Sequence, residues 1–204
     1  MKQHKLLLIL LFFIFLNSCS SQDKKQVAGR TAFQIKMNRK FKDASTTPLT
    51  KRALKKFKGL DFFPVDEKFK VIGKFIKTSN EPAKSLPTTT DRVVVYRKYG
   101  ELHFTIDNNP LKLNVYKDEF PLKGFEQHLF LPFLDKTNGT YSYSGGRFLD
   151  IQTSDIANDG SITINFNNAY NPYCAYNTNY SCPITPRENY LDIEIKAGVM
   201  IYKK

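Results

Sequence analysis

The chain is short of the residues that make catalysis easy to read. In 204 residues it has three histidines, three cysteines and no tryptophan. Beyond the leader the histidines are His103 and His128, and they form no His-x-x-x-His pair, which excludes a helix-borne zinc site. There is no Gly-x-Ser-x-Gly elbow, and the single Ser-x-x-Lys spacing, Ser21 to Lys24, falls in the polar stretch just after the leader, so neither motif offers a serine route. No glycine run closes on Lys followed by Ser or Thr, which excludes a P-loop. Repeats and low-complexity tracts are missing as well. Acidic residues number 19 against 31 Lys and Arg, for a net charge of +12.

What is present begins with an address. Lys2 and Lys5 precede the apolar run Leu6 to Leu16, which is too short for a comfortable membrane span. "LNSC" follows, and it resembles a bacterial lipobox, with Leu16 at −3 and Ser18 at −1; Asn17 is a mild departure. The resemblance implies a lipoprotein signal peptide over residues 1–18, with Cys19 lipidated (palmitate among its acyl chains) as the mature N-terminus. Residues 19–26 read as a polar tether, and 27–204 as one domain. The expected location is the cell envelope, on a membrane through Cys19, and the outer membrane where there is one. An ordinary secretory signal with an incidental cysteine is the alternative.

Basic charge often marks nucleic-acid binders. Here the lysines are spread along an exported chain, so nucleic acid is not expected. Anionic headgroups, lipid A phosphates or acidic glycans suit better, against the alternative of a solvated cationic surface. Setting Cys19 aside leaves Cys174 and Cys182. An even pair in an oxidising compartment reads as a disulfide, contributing about 2–3 kcal/mol through chain entropy. Free thiols, or zinc thiolates joined by His103 and His128, stay open.

Periodicity predicts a mainly β fold: an antiparallel barrel or sandwich with one or two N-terminal helices. Phe33, Met37 and Phe41 recur every four residues among basic positions, predicting an amphipathic helix over Val27 to Asp43. Thr47 and Pro48 fit the start of a second helix and Gly59 its end. Strands are predicted at Lys70 to Lys77, Arg92 to Tyr99, Glu101 to Asp107, Leu111 to Tyr116, His128 to Leu134, Arg147 to Gln152, Ser161 to Phe166 and Leu191 to Lys196. Gly100 and Asp159-Gly160 read as hairpin turns, and "DNNP" as another turn. Glu81 to Thr90 reads as a mobile loop.

Segments across Thr47 to Gly198 carry a resemblance. "GLDFFPVD", "LPFLDKTNGTYSYSGGRFLD", "NFNNAYNPYCAYN", "SCPITPREN" and "IKAG" resemble the landmarks of an uncharacterised bacterial family, classed as a domain of unknown function. It implies one intact domain and no activity.

Chemistry concentrates in two places. In "DKTNGTYSYSGGRFLD", Arg147 follows two glycines and precedes Asp150, suiting an anion or a structural ion pair. "NNAYNPYCAYNTNYSCPITPRENY" holds five of the eleven tyrosines and two of the cysteines. Tyrosine faces and asparagine amides suit glycans or extended peptides, or a loop that satisfies its own backbone. "SDIANDGSITINF" is not a calcium loop: Ala157 and Phe166 stand where ligands belong. Candidate ligand-binding residues are Arg147, Tyr143, Asp150, Asn171, Tyr173, Tyr176 and Glu188; no cofactor and no metal are expected. The leading expectation is a binding or structural module for a glycan or anionic envelope ligand. The competing one is an envelope enzyme, in the hydrolase class, in which Arg147, Glu188 and the loop asparagines converge on one cleft.

Overall fold

The computed structural model describes residues 31–203. The signal peptide, Cys19, the tether and residues 27–30 lie outside the described residues. Among the described residues, eight strands form one curled, mainly antiparallel half-barrel, with two helices. Helix α1 spans Ala32–Lys42 and α2 Lys51–Lys56. The strands are β1 Lys70–Lys77, β2 Ala83–Pro87, β3 Val93–Ile106, β4 Asn109–Asp118, β5 His128–Asp135, β6 Arg147–Gln152, β7 Ser161–Asn165 and β8 Tyr190–Leu191. Their order is β6-β5-β4-β3-β1-β7, with β2 beside β3 and the two-residue β8 parallel to β5.

Period-two alternation sets the two faces. Leu102, Phe104 and Ile106 of β3, Leu129, Leu131 and Phe133 of β5, and Leu149 and Ile151 of β6 point into the concave core. Phe166, Leu191, Ile195 and Ala197 from the C-terminal part fill it. On the other face Tyr116, Phe130 and Phe148 form a second apolar cluster. A third joins Met37 and Phe41 of α1 to Leu49, Tyr176 and Val199. Phe41 is fully buried, with the Tyr176 ring 4.6 Å away, a burial contributing about 2–3 kcal/mol.

Several sequence expectations shift in detail. Gly100 starts no hairpin. The fourteen residues of β3 are continuous, with a bulge between Lys98 and Gly100, and a Cβ at Gly100 would stand 2.6 Å from the Ile76 carbonyl. A bulge lets one long strand bend within a curled sheet, bordering β2 along one half and β1 along the other. Asp159-Gly160 turns the chain, but β6 and β7 are at opposite ends of the strand order and do not pair. The turn chemistry was legible; its strand partner, β1, is remote in sequence. Glu81 to Thr90 holds β2 instead of an open loop. Helix α2 begins later than expected, on Thr50, whose side chain accepts from the Ala53 amide. Residues 192–196 form no strand beyond β8: the Ile195 carbonyl accepts from Arg147, its amide donates to Asp135, and the Ile193 carbonyl accepts from the Lys136 amide.

Candidate functional site

Arg147 is wholly buried. Its Nη2 donates to Asp135 Oδ2 at 2.8 Å and to the Ile195 carbonyl at 2.7 Å, and Nη1 donates to the Ala197 carbonyl. Phe133 and Phe63 flank the guanidinium at 5.2 and 5.7 Å. Burial lowers its pKa, offset by the Asp135 carboxylate. Asp135 also accepts the Thr137 and Ile195 amides on Oδ1. The expectation that Arg147 meets a ligand is therefore corrected: it is an internal staple from β6 to the C-terminal segment. Gly146 just before it has φ +90, and a Cβ there would stand 2.6 Å from the Phe133 carbonyl, so that glycine serves packing.

The asparagines prove structural in the same way. Asn167 holds both backbone groups of Asp66, at 3.1 and 2.9 Å. Asn189 holds both of Asn114, at 2.9 and 2.8 Å, and reaches the Pro132 carbonyl as well. Each amide side chain imitates a strand neighbour where no strand is present. Asn171 is buried and donates to the Met200 carbonyl at 2.9 Å. Tyr176 is buried against Phe41 and Tyr202. Glu188 accepts from the Tyr116 hydroxyl at 3.1 Å, raising the Tyr116 pKa after burial, the larger cause. Arg147, Glu188 and Asn171 thus do not converge on one cleft.

Asp150 and Tyr173 do share one, with residues that sequence reasoning had not nominated. On the outer face of β5 and β6, Phe130 lies opposite Asp150, and His128 is one diagonal step away. His128 Nε2 lies 2.9 Å from Asp150 Oδ1. Tyr170 reaches the same oxygen, its hydroxyl donating at 2.6 Å. It is placed by a backbone bridge in which Phe148 and Tyr170 exchange both hydrogen bonds, so the Tyr/Asn stretch covers the free edge of β6. Asp150 Oδ2 and His128 Nδ1 have no hydrogen-bond partner among the described residues. Crowding raises the Asp150 pKa, but the bonds from His128 and Tyr170 and the charge of Lys40 outweigh it, and the net shift is downward. The Tyr170 phenol is pushed well above its ordinary value by burial and the Asp150 charge.

These groups line a groove of about 700 Å³ between α1, the β5–β6 edge and the Tyr/Asn stretch. Phe148 lines it, packed edge to face at 4.7 Å on the buried Phe130. Tyr173 and Tyr180 stand edge to face at 5.2 Å on one wall, with Lys40 Nζ 5.0 Å over the Tyr173 ring. Lys36 and Lys40 of α1 supply cations to the same groove. A second groove, about 770 Å³, lies between α2 and the C-terminal residues; Arg52, Lys56 and Lys58 line it, without any histidine. The β5–β6 groove has the richer chemistry: hydrogen-bonding groups of both kinds, flat ring faces and positive charge.

Cys174 and Cys182 are buried free thiols in the structure, not joined as a disulfide. They are adjacent all the same: the Cys174 amide donates to Cys182 Sγ at 3.2 Å, and the Tyr143 hydroxyl lies 3.8 Å from Cys174 Sγ. The hydrogen bond from Cys182 draws the Cys174 thiol down to about 6 and raises that of Cys182. Tyr143 is half-buried beside this pair, and its phenol is raised to about 12 by burial. His103 sits with Glu101 at 3.1 Å, as His128 does with Asp150.

Fold and groove together define a β-rich half-barrel domain with an open aromatic groove on its outer face. The chain belongs to the family described as "Protein of unknown function (DUF1684)", whose model matches residues 55–200. It is similar to the solution NMR structure of the uncharacterized protein from gene locus rrnAC0354 of Haloarcula marismortui, with 30% identity over 82% of this chain and 89% of that one and a TM-score of 0.65. Comparison with curated proteins gives no match. His128, Asp150, Tyr170 and Tyr173 fall inside the family match, whereas Lys36 and Lys40 precede it.

Proposed function

We propose that the protein is a lipid-anchored component of the cell envelope that binds an acidic glycan in the β5–β6 groove. The observation that carries the reading is the Asp150 carboxylate lining the groove, held by His128 and Tyr170 on one oxygen, with no partner on the other among the described residues. A sugar hydroxyl donates to that second oxygen, the tyrosine faces take the apolar side of a pyranose, and Lys36 and Lys40 meet the ligand's negative charge. The lipobox motif and the excess of basic residues support an envelope setting. In an oxidising compartment the adjacent thiols of Cys174 and Cys182 would join as a disulfide and fix the Tyr173 wall.

Glycan arrays and sacculus pull-downs test this. Acidic glycans should be retained, and Asp150→Asn or Tyr173→Ala should weaken retention by about tenfold, near 1.4 kcal/mol. Equal retention of wild type and both variants would sink the proposal. A second reading, hydrolysis with His128 as base through its open Nδ1, draws on the same His128–Asp150 pair. Release of reducing sugar from a retained glycan, lost in His128→Gln, would favour it.

A further inference from the structure

The connection between β4 and β5, "EFPLKGFEQ", exposes its largest apolar side chains. Phe120 and Leu122 are each 76% exposed and Phe125 59%. Single exposed apolar residues are ordinary, but three within six residues on one loop are not. The acidic residues around them are each engaged in hydrogen bonds. Asp118 accepts the Phe120 amide at 2.9 Å, and Glu119 pairs with Arg97 at 2.7 Å. Both Glu126 oxygens accept the Gly124 amide, at 3.0 and 2.9 Å. Backbone bonds from Phe125 to Leu122 and from His128 to Phe125 close the turn. The result is a structured tip that exposes hydrocarbon, with Glu119 tied to Arg97 of β3 and with Asp118 and Glu126 bonded to the tip's own amides.

We infer that this tip enters the interface of a phospholipid bilayer bearing anionic headgroups. Six residues fall short of the roughly 800 Å² per partner of a standard protein interface. Shallow insertion of a few large apolar groups next to cations is, by contrast, what an interfacial contact requires. The cations are at hand: Lys123 lies within the tip, and Lys36 and Lys40 line the same groove as Phe125. Phe33, at the start of the helix that follows Cys19 in the sequence, lines that groove too, so the chain enters the domain beside the tip. The acyl chains on Cys19 hold the protein to the membrane, and the tip with its basic neighbours adds a second contact that orients the domain on it. In this respect the inference rests on the envelope setting proposed above, not on the groove's ligand.

The chain's lack of tryptophan makes the test direct. Phe120→Trp gives the full chain a sole tryptophan, to be reconstituted in phosphatidylglycerol vesicles with brominated acyl chains. Its emission should shift to the blue and be quenched. Ile72→Trp, equally exposed at 76% on β1, should keep its emission on the same vesicles. Phe120→Asp with Leu122→Asp, in a Cys19→Ser background, should lower vesicle partition by about tenfold or more. A Phe120→Trp emission unchanged from buffer would overturn the inference. So would unquenched Phe120→Trp with a dimer that Phe120→Asp dissolves, which would assign the tip to a second copy. The mass of the mature N-terminus separates the two readings: lipidated Cys19 with an unquenched tip refutes only this one.

Discussion

Replacing Arg147 with leucine should be among the most damaging single changes in this domain. The substitution leaves the Asp135 Oδ2 charge without its partner, takes the Arg147 donor from the Ala197 carbonyl and leaves the Ile195 carbonyl with the Ala197 amide alone, all in a buried setting. Breaking a buried pair from one side costs about 3–5 kcal/mol, and at roughly 2–4 °C per kcal/mol for a domain this size the midpoint should fall by about 6–20 °C. Urea unfolding followed by circular dichroism measures it, since the chain has no tryptophan to report. Removing both charges, as Arg147→Met with Asp135→Leu, should recover part of the loss, because the cost lies in the stranded charge. A loss below about 1 kcal/mol for Arg147→Leu would refute the staple, measured against its 3–5 kcal/mol. So would intact stability accompanied by lost glycan binding, which would return Arg147 to a ligand site.

Gly146→Ala should cost more than about 2 kcal/mol, since φ is +90 and the Phe133 carbonyl blocks the added methyl; the same unfolding assay decides. Glu101 is held down at about 2 by the hydrogen bond from Lys98, with His103 and Lys112 adding to it against desolvation. A depressed carboxylate stabilises above its unfolded value near 4.5, and that contribution fades as pH falls toward about 2. Glu101→Gln should therefore flatten the urea midpoint across that window, and an unchanged acid slope would count against the cluster. Protein matured in an oxidising envelope should show no free thiol at Cys174 or Cys182 when denatured without reductant. After reduction, mass spectrometry should find Cys174 alkylated ahead of Cys182, because its thiol titrates near 6 and its neighbour's is raised.

The strands were legible because one face is apolar: the period of two in Lys70–Lys77 and Arg147–Gln152 gives their ends correctly. Which strands pair was not, since β7 joins β1 across about ninety residues and no local signal carries that register. The groove hid for the same reason. His128 and Asp150 meet only because β5 and β6 align Phe130 with Asp150, and Tyr170 arrives through a bridge to Phe148. The Tyr/Asn stretch attracted notice by composition, but Asn167, Asn171 and Asn189 spend their amides on backbone groups, and composition does not tell a staple from a ligand. Arg147 misled by its position after two glycines, where exposure and burial read alike.

The most direct test of the groove is calorimetric titration with one acidic glycan and its carboxyl-reduced, neutral form. Wild type should bind the acidic form about tenfold more tightly, Lys40→Glu should erase that preference, and Asp150→Asn should weaken both forms. Binding of neither form, or a preference that survives Lys40→Glu with Asp150→Asn unaffected, would contradict the account.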